Sequence, residues 1–191
     1  MTHDKITTVC FDAFGTLIQR HGHRINPYRH LIQRGQDGKY KRLPFLTRNV
    51  GISVFAEELG LSHMLPVIQQ ELADEIASLR LFPEVDLTLR KLRATGKRIT
   101  VCSNLAAEYG ATVRQLLPNL DAYVLSYEVG AAKPDPVIYD AVCTSLKCHP
   151  RDVLFIGDSK RCDKLGPEDF GMRAKWLDRN SGLTLIDTLL G

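Results

Sequence analysis

Three polar residues stand at the ends of short apolar runs: Asp12, Ser103 and Asp158. The runs are rich in Val, Ile, Leu and Phe, which is typical of buried parallel strands. Open α/β sheets bind ligands outside the carboxyl ends of their strands. If the three strands are parallel neighbours, these side chains meet at one edge of the sheet, where a carboxylate is placed for chemistry.

A further acid, Asp163, lies five positions after Asp158. Carboxylates within a few ångström raise one another's pKa unless a cation lies between them. Asp12, Asp158 and Asp163 therefore predict an oxygen site for Mg²⁺, an ion that also keeps positions for water and a substrate phosphate oxygen. Lys133 precedes Pro134, which holds it in an extended segment, and it supplies a second positive charge beside an aspartate nucleophile.

Each of these residues also has an ordinary structural explanation. Ser103 can cap the helix after it, and Asp158 and Asp163 can occupy a tight turn and the first turn of a helix. Lys133 can be a loop lysine. These explanations treat the residues one at a time and do not account for three polar strand ends in one chain.

The elements that position these residues alternate regularly from Pro83 onward. Strands alternating with helices predict right-handed crossovers and a parallel sheet covered by helices on both faces, which is a Rossmann-like α/β sandwich. After the first strand, the predicted strands are Arg98–Cys102, Ala122–Ser126, Asp152–Ile156 and Met172–Leu177. The predicted helices are Pro83–Ala94, Ala106–Leu117, Pro136–Leu146, Lys160–Phe170 and Leu183–Leu190.

Residues 20–80 show no β pattern and instead have helical apolar spacing, with helices predicted at Pro27–Gln33, Val54–Glu58 and Met64–Leu79. We interpret this segment as a small all-helical insertion, so that 1–19 and 81–191 form the core. Residues 19–50 contain eight basic side chains and one acidic side chain. This excess fits a solvated helical face or a field that attracts a small anionic substrate, whereas no aromatic-interleaved basic motif indicates nucleic acid.

Composition excludes several protein classes. No apolar run approaches the length of a membrane span, and residues 1–5 resemble neither a signal peptide nor a transit peptide. The five cysteines form no Cys-x-x-Cys pair, and an odd number suits a reducing compartment. These observations predict a cytoplasmic protein without a membrane partner, and nothing in them indicates the oligomeric state.

Four motifs occur in a fixed order: Phe11 to Leu17, Ser103-Asn104, Lys133 to Pro136, and Gly157-Asp158-Ser159 with Asp163 beyond it. In this order the chain resembles the haloacid dehalogenase-like hydrolase superfamily, from residue 9 to about 177. A single motif of this kind is weak evidence, but the ordered set is specific. The resemblance identifies residues 20–80 with the helical cap that closes over the site and sets specificity in that superfamily.

The resemblance also implies roles for individual residues. Asp12 is the nucleophile, and Ser103 and Lys133 complete the catalytic group. Thr16, Asn104 and Lys133 contact substrate. Asp12, Asp158, Asp163 and the backbone carbonyl of Phe14 hold Mg²⁺. In the cap, the candidates to face the substrate are Arg24, Tyr28, His30, Arg42 and Arg48, which the sequence does not rank.

Phe14 departs from the pattern of the phosphatases in this superfamily. They carry a second aspartate there, which protonates the leaving group and later activates water. Loss of such proton transfer typically costs about 10²- to 10⁴-fold in rate, so an ordinary phosphate ester would be cleaved poorly unless its leaving group is good.

Three functions remain open at this point. The dehalogenases of the superfamily carry an aromatic residue at the position of Phe14, and halide leaves without a proton or a metal. The acids Asp158 and Asp163 instead favour a Mg²⁺-dependent phosphohydrolase with an aspartyl-phosphate intermediate. We favour the phosphohydrolase, because a metal site requires several suitable residues to be present together, whereas Phe14 is a single difference. The third alternative is a binding or regulatory member with little turnover.

Overall fold

The computed structural model describes residues 6–22, 25–34 and 43–190. The strands are β1 Thr8–Phe11, β2 Ile18–Arg20, β3 Leu79–Leu81, β4 Arg98–Ser103, β5 Ala122–Leu125, β6 Val153–Gly157 and β7 Arg173–Trp176. The α-helices are α1 Arg29–Arg34, α2 Leu43–Thr47, α3 Ile52–Glu58, α4 Leu65–Ser78, α5 Val85–Ala94, α6 Gly110–Leu116, α7 Ser126–Val129, α8 Pro136–Leu146, α9 Gly166–Asp169 and α10 Leu185–Leu190.

The main sheet has the order β5-β4-β1-β6-β7, and each neighbouring pair of strands is parallel. Strand β1 lies at the centre, and all four of its residues are buried. Its last residue, Phe11, pairs with Val101 of β4 on one side and with Ile156 of β6 on the other. The carboxyl ends of these three strands are therefore level, and the predicted parallel α/β sheet is confirmed.

The two faces of the sheet bury separate apolar clusters. Along β1, Val9 and Phe11 belong to one cluster and Cys10 to the other, as the alternation of side chains along a strand requires. The first cluster also contains insertion residues such as Phe45 and Phe55, whose rings pack edge to face with centroids 4.8 Å apart. The described part of the segment between β2 and β3, which runs from residue 21 to residue 78, thus shares a core with one face of the sheet. We call this segment the insertion.

The prediction that residues 20–80 are entirely helical was wrong at both ends. Strands β2 and β3 pair antiparallel, with Ile18 opposite Leu81 and Arg20 opposite Leu79, and they form a two-stranded ribbon at the base of the insertion. Three residues are too few to show an alternating pattern, so the pairing is decided by contact between segments about 60 residues apart.

Other elements differ in detail from their predictions. The segment predicted as one helix over 160–170 is a π-helix at Lys160–Leu165 followed by α9. Two short helices, α2 and α7, were not predicted. Among the described residues, no helix is long and apolar enough to cross a lipid bilayer.

Candidate active site

Asp12 lies directly after β1, and the sheet fixes its position. Its backbone N–H donates to the carbonyl of Ile156, 2.9 Å away, so the residue is held against β6. The side chain is buried, and its Oδ1 accepts hydrogen bonds from Ser103 Oγ at 3.0 Å and Lys133 Nζ at 2.8 Å. Three segments far apart in the sequence therefore meet at one carboxylate oxygen.

Lys133 bridges two carboxylates. Besides Asp12, its Nζ donates to Asp163 Oδ1 at 2.6 Å, and its side chain is only 2% exposed. Burial disfavours the ammonium ion, but the charges of Asp12 and Asp163 outweigh it and raise the pKa of Lys133 well above its ordinary value. The lysine is charged at neutral pH and neutralises part of the negative charge around Asp12.

Asp12, Asp158 and Asp163 form a group of carboxylates. One oxygen from each lies within 4.8 Å of the others; Asp12 and Asp163 are buried, and Asp158 is exposed. Burial raises the pKa of Asp12 to about 6, and the charge of Asp163 acts in the same direction while Lys133 opposes both. Burial and the charge of Asp163 also raise the pKa of Asp158. Lys133 therefore compensates only part of the repulsion among the acids, and a cation with oxygen ligands fits the donor set.

Two glycines make room for these acids. Gly15 has a positive φ of 83°, and a Cβ added to it would lie 2.2 Å from Asp158 Oδ2. A Cβ on Gly157 would lie 2.4 Å from Cγ of Asp163. A side chain at either position would displace a carboxylate, which is why the motifs need glycine there.

The turn after β6 orients Asp163. Its Oδ2 accepts from the backbone N–H of Ser159 at 2.9 Å, and its own N–H donates to the Ser159 carbonyl at 2.8 Å. Ser159 also caps the following turn, because its Oγ accepts from the N–H of Cys162. The second oxygen of Asp163 therefore faces Lys133 in a fixed geometry. We use the name rim for the five residues Asp12, Ser103, Lys133, Asp158 and Asp163.

The two other residues predicted to contact substrate lie outside this group. Asn104 lines the cavity described below, but its amide is occupied by the backbone of Lys133: Nδ2 donates to the carbonyl at 2.9 Å, and Oδ1 accepts from the N–H at 2.7 Å. Asn104 therefore positions Lys133. Thr16 is fully buried and does not line the cavity, and its carbonyl accepts from Arg179 Nη2 at 2.5 Å.

A cavity of about 560 Å³ adjoins the rim and extends beneath the insertion. Phe14 forms part of its wall, where the ring packs edge to face against Tyr109 with centroids 5.7 Å apart. The guanidinium carbon of Arg20 lies 5.2 Å from the centre of the same ring. An aromatic ring and a cation thus lie together in the lining of the cavity.

A polar network joins this wall to the insertion. The carboxylate of Glu75, in α4, is buried; it accepts from Arg20 Nε at 2.6 Å and from the hydroxyl of Tyr109. Tyr28 donates to Glu108 Oε2 at 2.6 Å. Burial raises the pKa of both tyrosines well above the ordinary value, and the neighbouring glutamates act in the same direction. We use the name wall for the five residues Phe14, Arg20, Tyr28, Glu75 and Tyr109.

Comparison with known proteins assigns the family. The model of the haloacid dehalogenase-like hydrolases matches residues 6–171. The chain belongs to this family. The match includes both the sheet strands that carry the rim and the insertion, so the resemblance inferred from the motif order is confirmed.

Relatives of this hydrolase include phosphatases and dehalogenases. It is 28% identical to a phosphoserine phosphatase of Thermus thermophilus over 66% of this chain, but spans only 53% of that protein. A glyceraldehyde 3-phosphate phosphatase of Methanothermobacter thermautotrophicus is 29% identical, over 87% of this chain and 72% of the relative. A (S)-2-haloacid dehalogenase of a Pseudomonas species is 27% identical, over 92% of this chain and 86% of the relative.

Solved structures share the fold. A HAD family enzyme of Bacteroides thetaiotaomicron, crystallised with magnesium and inorganic phosphate, aligns with a TM-score of 0.67 at 22% identity. The alignment covers 90% of this chain and 93% of that enzyme. At 22% identity the alignment shows that the two proteins share a fold, and the chemistry has to be argued from the residues of the site.

Of the insertion residues that were candidates to face the substrate, one lines the cavity and two form contacts with glutamates. Tyr28 lines the cavity. His30 Nε2 lies 3.0 Å from Glu71, and Arg48 forms an ion pair with Glu58. Arg24 and Arg42 lie outside the described residues.

Sequence reasoning did not select Arg20, Glu75 or Tyr109 as residues of the site. Their contacts join positions 34 and 55 apart in the chain, and no motif links them. The one available signal was a glutamate on the face of α4 that also carries the buried Ile68 and Leu72.

Proposed function

We propose that this hydrolase is a Mg²⁺-dependent phosphohydrolase acting on a small phosphorylated metabolite, with Asp12 as the nucleophile. The grouping of three carboxylates, two of which are bridged by the buried Lys133, carries the proposal. Asp12, Asp158 and Asp163 would hold the ion, together with the carbonyl of Phe14. When bound, Mg²⁺ would supply charge that stabilises the transferring phosphoryl group.

The residues of the rim divide the work of the first step. Asp12 attacks phosphorus through the carboxylate oxygen that is not engaged by Lys133, and an aspartyl-phosphate forms as the leaving group departs. Ser103 and Lys133 hold Oδ1, so that the carboxylate cannot rotate away. Lys133 also neutralises part of the charge on the phosphoryl oxygens, and a fixed charge in a buried site does so without reorganisation.

The second step returns Asp12 to its starting form. Water attacks the phosphorus of the aspartyl-phosphate, and inorganic phosphate leaves. We further propose that residues 20–80 act as a cap over a core made of 1–19 and 81–191, because the cavity lies between the insertion and the rim. Substrate enters and leaves through this boundary.

A metal-independent dehalogenase is the second candidate. It is favoured by Phe14, which supplies no proton, and by the relatives that are haloacid dehalogenases. In that reaction Asp12 would attack carbon, and halide would leave. The dehalogenase reaction has no role for Asp158, although its carboxylate lies within 4.8 Å of the other two acids.

A single assay separates the candidates. We expect phosphate release from a panel of phosphorylated metabolites in Mg²⁺ and none in chelator. Asp158→Asn should raise the Mg²⁺ concentration for half-maximal rate at least about tenfold, because a ligand is lost. Asp169→Asn is the matched control, since this acid is exposed on α9. Halide release from a 2-haloacid in chelator would overturn the proposal, and Mg²⁺ binding without any turnover would favour the regulatory alternative.

A further inference from the structure

The cavity beside the rim is the space available to the leaving group. Gly15, Asn104 and Asp158 line the end next to the nucleophile, and the wall lines the part beneath the insertion. A phosphoryl group on Asp12 therefore directs the rest of its substrate toward Phe14. The inference below rests on the proposed phosphohydrolase function and concerns which leaving group this space accepts.

The carboxylate of Glu75 and the hydroxyl groups of Tyr28 and Tyr109 make hydrogen bonds within the protein, and these bonds prevent them from donating a proton to a leaving group. Both carboxylate oxygens of Glu75 accept hydrogen bonds, one from Arg20 and one from Tyr109. The hydroxyl of Tyr28 is directed at Glu108. The raised pKa of both tyrosines makes them weaker acids still. Within the described part of the chain, the wall thus offers no proton, and a leaving oxygen beside it departs as an anion.

Arg20 offers a cation in place of a proton. Its Nε is held by Glu75, and its guanidinium is 5.2 Å from the Phe14 ring centre, on the cavity side. Its two Nη groups have no hydrogen-bond partner within 6–22, 25–34 and 43–190. No described residue therefore occupies the two NH₂ groups of Arg20, and their four N–H bonds can donate to an oxygen anion that forms next to Phe14.

The remaining lining is mixed, and its apolar part can bury a flat ring. Apart from the wall, the cavity is lined by the polar residues Gln19, Asn26, Asn104 and Asp158 and by seven large apolar side chains: Ile18, Ile25, Ile32, Phe45, Leu46, Phe82 and Leu105. The rings of Phe14 and Tyr109 stand at 79° to each other, and such a corner accepts a third ring by stacking on one and meeting the edge of the other.

We propose that the substrates are phosphate esters of acidic aromatic hydroxyl groups, and that Arg20 stabilises the aryl oxide that leaves. A bond forms between Asp12 and phosphorus while the bond from phosphorus to the aryl oxygen breaks, and the electron pair departs with that oxygen. Water then forms a bond to phosphorus as the bond to Asp12 breaks. Both protons of this water leave with the inorganic phosphate and equilibrate with solvent.

The test is the dependence of kcat/KM on the acidity of the leaving group. Phosphate release in Mg²⁺ is measured for nitrophenyl, chlorophenyl and unsubstituted phenyl phosphate and for an alkyl phosphate. We expect kcat/KM to fall on the order of 10²-fold or more from nitrophenyl to phenyl phosphate, because no proton offsets the poorer leaving group. Phe14→Asp supplies an acidic proton and should make kcat/KM depend less on the acidity of the leaving group. Phe14→Asn places a side chain of the size of aspartate without that proton, and it should leave the dependence unchanged.

Arg20 is tested separately. Arg20→Gln alone would leave the buried Glu75 unpaired, so the paired variant R20Q/E75Q is compared with the wild type, and thermal unfolding establishes that it folds. We expect kcat/KM for aryl phosphates to fall on the order of tenfold, and the leaving-group series to become steeper.

The outcomes distinguish this inference from the function on which it rests. Mg²⁺-dependent release from alkyl and aryl phosphates at similar rates would overturn the inference and leave the phosphohydrolase intact. A flat series in the wild type, or an unaltered series in R20Q/E75Q, would remove Arg20 from its role. Release from no phosphate ester at all would reject the function and the inference together.

Discussion

The rim and the wall are adjacent, but they are built differently. The rim residues stand at or just after the carboxyl ends of parallel strands or in the loop and the π-helix beside them, and three hydrogen bonds between their side chains join one rim residue to another. The wall residues come from both the core and the insertion, and their bonds cross between these two parts. The rim is therefore fixed by the sheet, whereas the wall exists only when the insertion is docked.

This difference assigns separate tasks to the two regions. The rim holds a carboxylate, a cation and further acids at fixed distances, which suits displacement by Asp12 on an electrophilic centre. In the proposed reaction the wall would select the leaving group, because it lines the cavity next to the rim. A change in the rim should affect the reaction with every substrate, and a change in the wall should affect substrates unequally.

The largest effect is expected from the nucleophile. Asp12→Asn removes the attacking oxygen, and we expect turnover of every phosphate ester to fall on the order of 10⁴-fold or more. Phosphate release under single-turnover conditions measures the loss. Full activity of a pure, folded variant would contradict the assignment of Asp12 and with it the role of the rim.

Lys133→Met tests whether the charges of the rim are mutually dependent. The variant leaves Asp12 and Asp163 buried without their cation, and we expect the free energy of unfolding in chelator to fall by about 3 to 5 kcal/mol. Mg²⁺ should restore part of this loss, because a divalent ion replaces the lost charge. Urea unfolding with and without Mg²⁺ provides the comparison.

Lys164→Met is the control for this experiment. Lys164 pairs with Glu168 on the surface, with both side chains more than one-third exposed, and its Nζ also donates to the carbonyl of Ala174 at 2.8 Å. An exposed pair contributes less than about 1 kcal/mol and a hydrogen bond about 1 kcal/mol, so the expected loss stays below that of Lys133→Met. Two results would show that the charges of the rim do not depend on one another. One is a loss of stability in Lys164→Met as large as that in Lys133→Met, and the other is a loss in Lys133→Met that Mg²⁺ does not reduce.

Stability should depend on pH through Asp12. In the unfolded chain its carboxyl ionises near 3.8, whereas burial in the folded protein raises the pKa to about 6. Between these values the folded state holds a proton that the unfolded state has lost, so stability decreases as the pH rises from about 4 to about 6. The contribution is at most about 3 kcal/mol. Thermal unfolding in chelator should show this decrease in the wild type, and a smaller one in Asp12→Asn.

The smallest effect is expected where the wall joins the core. Tyr28→Phe removes the hydrogen bond to Glu108, and we expect a loss of about 1 kcal/mol in the free energy of unfolding. This loss should be the same in Mg²⁺ and in chelator, because the bond contains no rim residue. A loss that depends on Mg²⁺ would mean that the wall and the rim are not independent.

Much of the fold followed from local patterns. The apolar run before Asp12 predicted a buried central strand, and the alternation after Pro83 predicted the parallel sheet, because strand and helix spacing are properties of neighbouring residues. The ribbon of β2 and β3 was missed, since two segments of three residues acquire strand geometry only by pairing with each other. The π-helix at Lys160–Leu165 was likewise read as an ordinary helix.

For the site, the sequence by itself determined the order of the rim residues: Asp12, Ser103 and Asp158 stand at strand ends, which converge in a parallel sheet, and the order of the motifs added Lys133 and Asp163. It also determined that Phe14 supplies no proton. Only the tertiary structure decided that Lys133 lies between Asp12 and Asp163, that Asn104 holds Lys133, and that Arg20, Glu75 and Tyr109 form one network. Local spacing carries no information about which distant side chains meet, since that depends on how the insertion packs on the sheet.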